Sequence, residues 1–67
     1  MPHTMFKKLF NDGTMVEIEN GVIALYRRDG TQVTNSNVDY YFDERGYNCK
    51  SDDEAAQKFR DHFLAQI

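Results

Sequence analysis

Sixty-seven residues form one domain, residues 1–67, with a thin core, because a chain this short buries only about 60% of its unfolded surface. Eight Lys and Arg against 11 Asp and Glu leave a net charge of −3, which disfavours a nucleic-acid partner unless the basic residues cluster. The lone Cys49 excludes an internal disulfide and points to a reducing, cytoplasmic setting, and no apolar run is long enough for a signal peptide or a membrane span.

Residues 1–4 read as a disordered tail. Met5, Phe6, Leu9 and Phe10 fit either a strand or a single amphipathic helical turn, since 5/9 and 6/10 are i,i+4 pairs. The strand is preferred because it sets Lys8 against Glu17. Three dipeptides then dominate: Asp12-Gly13, Asn20-Gly21 and Asp29-Gly30, each of the kind that supports a two-residue hairpin loop. Their spacing leaves room for strands and none for helices. No repeat, linker or low-complexity segment is evident.

Two-residue loops at all three turns define a register. Around Asn20-Gly21, Glu19 opposes Val22, Val16 opposes Leu25 and Met15 opposes Tyr26. Around Asp12-Gly13, Phe10 opposes Met15 and Leu9 opposes Val16. Around Asp29-Gly30, Tyr26 opposes Val33 and Leu25 opposes Thr34. One face then carries Leu9, Val16, Ile18, Ile23 and Leu25. The other carries Phe10, Met15, Tyr26 and Val33 among charged residues, with Arg28 beside them. A slip of one residue would exchange the faces of a strand.

Asn35-Ser36-Asn37 reads as a loop. Val38–Phe42 alternates like a strand, Asp43-Glu44-Arg45-Gly46 reads as a turn, and Tyr47–Lys50 as a short last strand. Ser51-Asp52-Asp53-Glu54 is a capping box, with Glu54 reaching back to the Ser51 amide. It opens a helix over 51–67, on which Ala56, Phe59, Phe63 and Ile67 form one stripe and Leu64 widens it.

The expected fold is therefore α+β: a small antiparallel meander of three to five strands with one C-terminal helix packed on one face. No catalytic constellation emerges. Asp61 and His62 are helical neighbours about 100° apart, so the acid cannot orient the imidazole toward Cys49. His3, Cys49 and His62 are too scattered for a metal site, and the glycines read as turns rather than a phosphate loop. No cofactor is expected.

What remains is binding. The row Phe10, Met15, Tyr26 and Val33, with Arg28, is the leading candidate surface for another protein. The competing reading folds residues 34–50 over that row as a second core layer. An acidic patch of Asp39, Asp43, Glu44, Asp52 and Asp53 facing a basic partner is the alternative surface. The expected function is a small non-enzymatic protein-binding module that inhibits or adapts a larger partner. In size and style alone, with no motif behind it, the chain looks like accessory proteins of phages and mobile elements, including those that block host defence complexes. A nucleic-acid binder using sheet aromatics and Arg residues, and a structural homo-oligomer subunit, such as a homodimer, are the alternatives.

Overall fold

The structure is a computed structural model that describes residues 5–67; the expected tail at 1–4 lies outside the described residues. Strands β1 (Phe6–Leu9), β2 (Met15–Glu19), β3 (Val22–Tyr26) and β4 (Gln32–Asn37) form one antiparallel sheet in chain order. A one-turn helix α1 (Asp39–Phe42), the helix α2 (Asp52–His62) and a turn of 3-10 helix at Leu64–Gln66 follow. This is the expected α+β meander with a C-terminal helix on one face of the sheet.

The central hairpin has the two-residue loop that its sequence dictates. Asn20 and Gly21 both take positive φ, 53° and 78°, as a type I′ turn requires. Glu19 opposes Val22, Val16 opposes Leu25 and Met15 opposes Tyr26, as expected.

The flanking turns are each one residue longer. The Phe10 amide donates to the Thr14 carbonyl at 2.8 Å and the Gly13 amide to the Phe10 carbonyl at 3.0 Å. Arg27, Gly30 and Thr31 repeat this arrangement at 2.8 and 2.9 Å. Gly13 and Gly30 sit at φ 91° and 92°, which makes both loops three-residue turns closed by a glycine bulge. The tripeptide Asp-Gly-Thr explains the choice, and it occurs twice, at 12–14 and 29–31. In each copy the Asp Oδ1 accepts the Thr amide at 3.0 Å, and the Thr hydroxyl at 2.6 Å in the first copy and 2.7 Å in the second.

The extra loop residue has opposite consequences on the two sides. On the β1 side nothing absorbs it, so Leu9 pairs with Met15, Lys8 with Val16, Lys7 with Glu17 and Phe6 with Ile18. Every β1 side chain is turned over relative to the expected register. Leu9 leaves the helix-covered face, and Phe6, Lys8 and Phe10 replace it. On the β4 side a bulge between Leu25 and Tyr26 takes up the residue: Tyr26 pairs with Gln32, Val33 is left over, and Leu25 meets Thr34 as expected. Val33 packs against the core.

Beyond the third hairpin the expected elements change. Asn35–Asn37 is not a loop but the end of β4. Val38–Phe42 is not a strand: the Asn37 Oδ1 accepts the Asp39 amide at 2.8 Å and the chain coils, so that Val38 and Tyr41 share the inner side. Asp43–Gly46 is the expected turn, closed by the Gly46 amide on the Asp43 carbonyl at 2.8 Å. A Cβ at Gly46 would fall 1.9 Å from the Tyr40 carbonyl oxygen, so only glycine fits. Tyr47–Lys50 is not a strand, because Asn48 turns left-handed at φ 52°.

Ser51 caps α2 through its Oγ, which accepts the Glu54 amide at 3.1 Å. Glu54 reaches back one residue further than expected, to the Lys50 amide at 3.0 Å. The helix stops at His62 and does not run to 67. Ala55, Ala56 and Phe59 are buried, Phe63 is half-buried, and Leu64 and Ile67 are exposed. The core joins Val16, Ile18, Ile23 and Leu25 of the sheet to Val38, Tyr41, Cys49, Ala55, Ala56 and Phe59. The 38–50 segment therefore packs beside α2 on the aliphatic face, and the described residues leave the other face open.

Candidate partner-binding surface

Three cross-strand rows make up the open face. Leu9, Met15, Tyr26 and Gln32 form the first, and Lys7, Glu17, Ala24 and Asn35 the second. Glu19, Val22 and Asn37 form the third. Leu9 is 73% exposed and Val22 45%, while Met15 and Tyr26 are half-buried between their neighbours. A chain of polar contacts holds the Tyr26 ring. Its hydroxyl reaches Glu17 Oε1 at 3.5 Å and accepts Gln32 Nε2 at 3.4 Å, Gln32 Oε1 accepts Asn35 Nδ2, and Lys7 Nζ lies 3.7 Å from Glu17 Oε2.

Leu9, Gly13, Met15, Tyr26 and Arg28 line a shallow concavity at the end of this face nearest the two Asp-Gly-Thr turns. Of the five residues expected to bind a partner, the structure thus brings together Met15, Tyr26 and Arg28. Phe10 is not in the row: it packs against the core, with the Arg60 guanidinium 4.6 Å and the Lys8 ammonium 5.5 Å from its ring centre. Val33 is not in the row either, for the bulge turns it inward. Leu9 takes the place of Phe10. The threonine after Asp12-Gly13 was the signal for it, since that residue selects the longer loop.

Both turn carboxylates are already engaged. Asp12 is held at a pKa of about 2 by the Thr14 hydroxyl first, then by the Thr14 amide and Arg60. Arg60 reaches across from α2, donating to Thr14 Oγ1 at 3.1 Å and pairing with Asp12. The Thr31 amide and hydroxyl hold Asp29 below the usual carboxylate range. Arg27 donates to Thr31 Oγ1 at 3.4 Å and to the Gln66 carbonyl at 3.3 Å, so it tethers the second turn to the C-terminal 3-10 turn.

The acidic residues fall at three points along the chain. Asp39 opens α1, Asp43 and Glu44 lie in the next turn, and Asp52 and Asp53 open α2. Asp43 accepts the Arg45 amide at 2.8 Å, and Asp53 pairs with Lys8 at 2.8 Å, fastening α2 to the edge strand.

An aromatic cluster escaped the sequence reading. Tyr41 stacks on Tyr47 with ring centres 5.1 Å apart, meets Phe59 edge-on at 5.5 Å, and sets its hydroxyl 3.1 Å from His62 Nδ1. Burial pushes the Tyr41 phenol up to about 12, helped by Tyr47, Tyr40 and Cys49. His62 also packs on Tyr47 at 4.5 Å. Its contacts interlock α1 and α2, while Asp61 is turned aside to Gln57 Nε2 at 3.3 Å. Cys49 is buried, and burial first, then Glu54, raises its thiol pKa. A raised pKa opposes the thiolate a nucleophile needs. Among the described residues no group of three or more His, Cys, Asp and Glu side chains is placed to hold a metal ion, and no helix is long and apolar enough to cross a membrane. Comparison with protein-family models, curated proteins and solved structures finds no match.

Proposed function

We propose that this chain is a non-enzymatic binding module that engages another protein through the open sheet face and so blocks or adapts it. The observation that carries this reading is the row Leu9–Met15–Tyr26, which no described element covers. Helices α1 and α2 and the 38–50 segment pack on the opposite face, yet this row keeps a leucine 73% exposed beside a methionine and a tyrosine. Exposed apolar rows rimmed by polar groups mark interaction surfaces, and Tyr and Met are enriched in them. Tyr26 is central and held in place, which lowers the entropy lost on docking. The net charge of −3 argues against a phosphate partner.

Tyr26→Ala tests the reading. Loss of a central tyrosine anchor weakens partner binding by at least about 2 kcal/mol, with little change in the melting midpoint. A folded Tyr26→Ala variant with full affinity overturns the assignment.

A further inference from the structure

We propose that the surface recognises an acidic protein segment in which a carboxylate lies next to a large apolar side chain, the carboxylate docking on Arg28 and the apolar group on Leu9, Met15 and Tyr26. This rests on the reading that the open face binds protein, and it adds the partner's chemistry.

The charged groups around the concavity favour a carboxylate. The acids beside it are spoken for within the chain: Asp12 by Thr14 and Arg60, Asp29 by Thr31, and Glu17 by Tyr26 and Lys7. Arg27 is taken by Thr31 and Gln66. Arg28 lines the concavity and, among the described residues, has neither an ion-pair nor a hydrogen-bond partner. Its stem nevertheless rests against the first turn. A Cβ on Gly13 would lie 2.8 Å from Arg28 Cγ and 2.9 Å from Cδ, so the arginine stem lies flat across the first turn. An arginine whose stem rests on the turn and whose planar fork no described residue engages, next to an apolar row, complements a carboxylate flanked by an apolar group. A basic partner would meet an uncompensated like charge there. The surface is thus cationic at one corner of a protein that is acidic overall.

The test is selection of a phage-displayed random heptapeptide library on the immobilised protein, run in parallel on wild type, Arg28→Gln, Arg28→Glu and Tyr26→Ala. All four are first checked for a wild-type circular dichroism spectrum. The proposal expects wild type to enrich peptides with Asp or Glu next to a Leu, Phe, Tyr or Trp. Arg28→Gln should weaken those peptides about fivefold, and Arg28→Glu should enrich Lys and Arg in place of the acids. Tyr26→Ala should enrich neither. Apolar peptides selected equally by wild type and Arg28→Glu, and lost in Tyr26→Ala, overturn the acidic partner while leaving the face as a protein-binding surface. Selection indifferent to both positions overturns that reading as well. Binding of oligothymidylate that is lost in Arg28→Gln and falls steeply with salt overturns the proposal in favour of phosphate recognition.

Discussion

Phe59→Ala removes the side chain on which the two layers of this protein meet. Phe59 is fully buried, meets Tyr41 edge-on at 5.5 Å and Phe63 at 5.0 Å, and belongs to the core that joins α2 to the sheet. Truncating a buried phenylalanine costs about 3–5 kcal/mol. A domain of this length holds roughly 3–10 kcal/mol in total, so the change removes much or all of the stability. Phe63 is the next step on the stripe read from the sequence. Because α2 ends at His62, Phe63 is the C-cap and only half-buried. Its truncation should cost about 1–2 kcal/mol, in proportion to the smaller area removed from water. Urea unfolding followed by circular dichroism separates the two. With a slope near 1 kcal/mol per molar urea, Phe59→Ala shifts the midpoint by about 3–5 M or leaves no folded baseline, and Phe63→Ala shifts it by about 1–2 M. A Phe59→Ala shift under about 1 M, or equal shifts for both, refutes the docking of α2 described above.

Two further predictions concern the turns. Leu9→Lys changes stability by no more than about 0.5 kcal/mol in the same titration, because the longer loop puts residue 9 in solvent; a loss of 2 kcal/mol or more, the scale for truncating a buried leucine, would restore the two-residue loop. The Asp12 pKa, about 2 in the folded protein against an ordinary 3.8, sets a direction with pH. A depressed carboxylate adds stability above its unfolded pKa and loses it as pH falls through the folded one, so the contribution fades between about pH 4 and 2. Asp12→Asn should flatten the acid limb of a stability-versus-pH curve relative to wild type, and an unchanged limb counts against the Arg60–Asp12–Thr14 clamp.

The fold class was legible because hydrophobic alternation and turn dipeptides agreed, and because Asn20-Gly21 strongly favours the two-residue type I′ loop. Ser51 and the acids after it announced the start of α2 through local chemistry. The faces of β1 were not legible from Asp12-Gly13 alone. That dipeptide serves two loop lengths, and the hydroxyl of Thr14, binding back to Asp12, decides between them. The same ambiguity at Asp29-Gly30 did no harm to the register past Val33, since the bulge cancels it. Residues 38–50 misled because alternation over five residues is also met by one helical turn, and the Asn37 side chain, accepting the Asp39 amide, makes an Asx turn that leads the chain into it. The Tyr41–Tyr47–His62 cluster joins residues 21 apart in sequence at its hydrogen bond, a tertiary fact with no local signature. Of the candidate surface, Met15 and Tyr26 followed from the central hairpin, while Leu9 waited on the length of the neighbouring loop.

The central claim is that the open sheet face, not the helical face, meets the partner, and site-specific photo-crosslinking tests it most directly. Benzoylphenylalanine is placed at position 9 on the open face in one variant, and at position 57, an exposed residue of α2, in another. Both are irradiated in extract from the source cells. The account predicts one discrete protein adduct from position 9, competed away by excess unlabelled wild type, not competed by Tyr26→Ala, and missing from position 57. An adduct from position 57 with none from position 9 would contradict it.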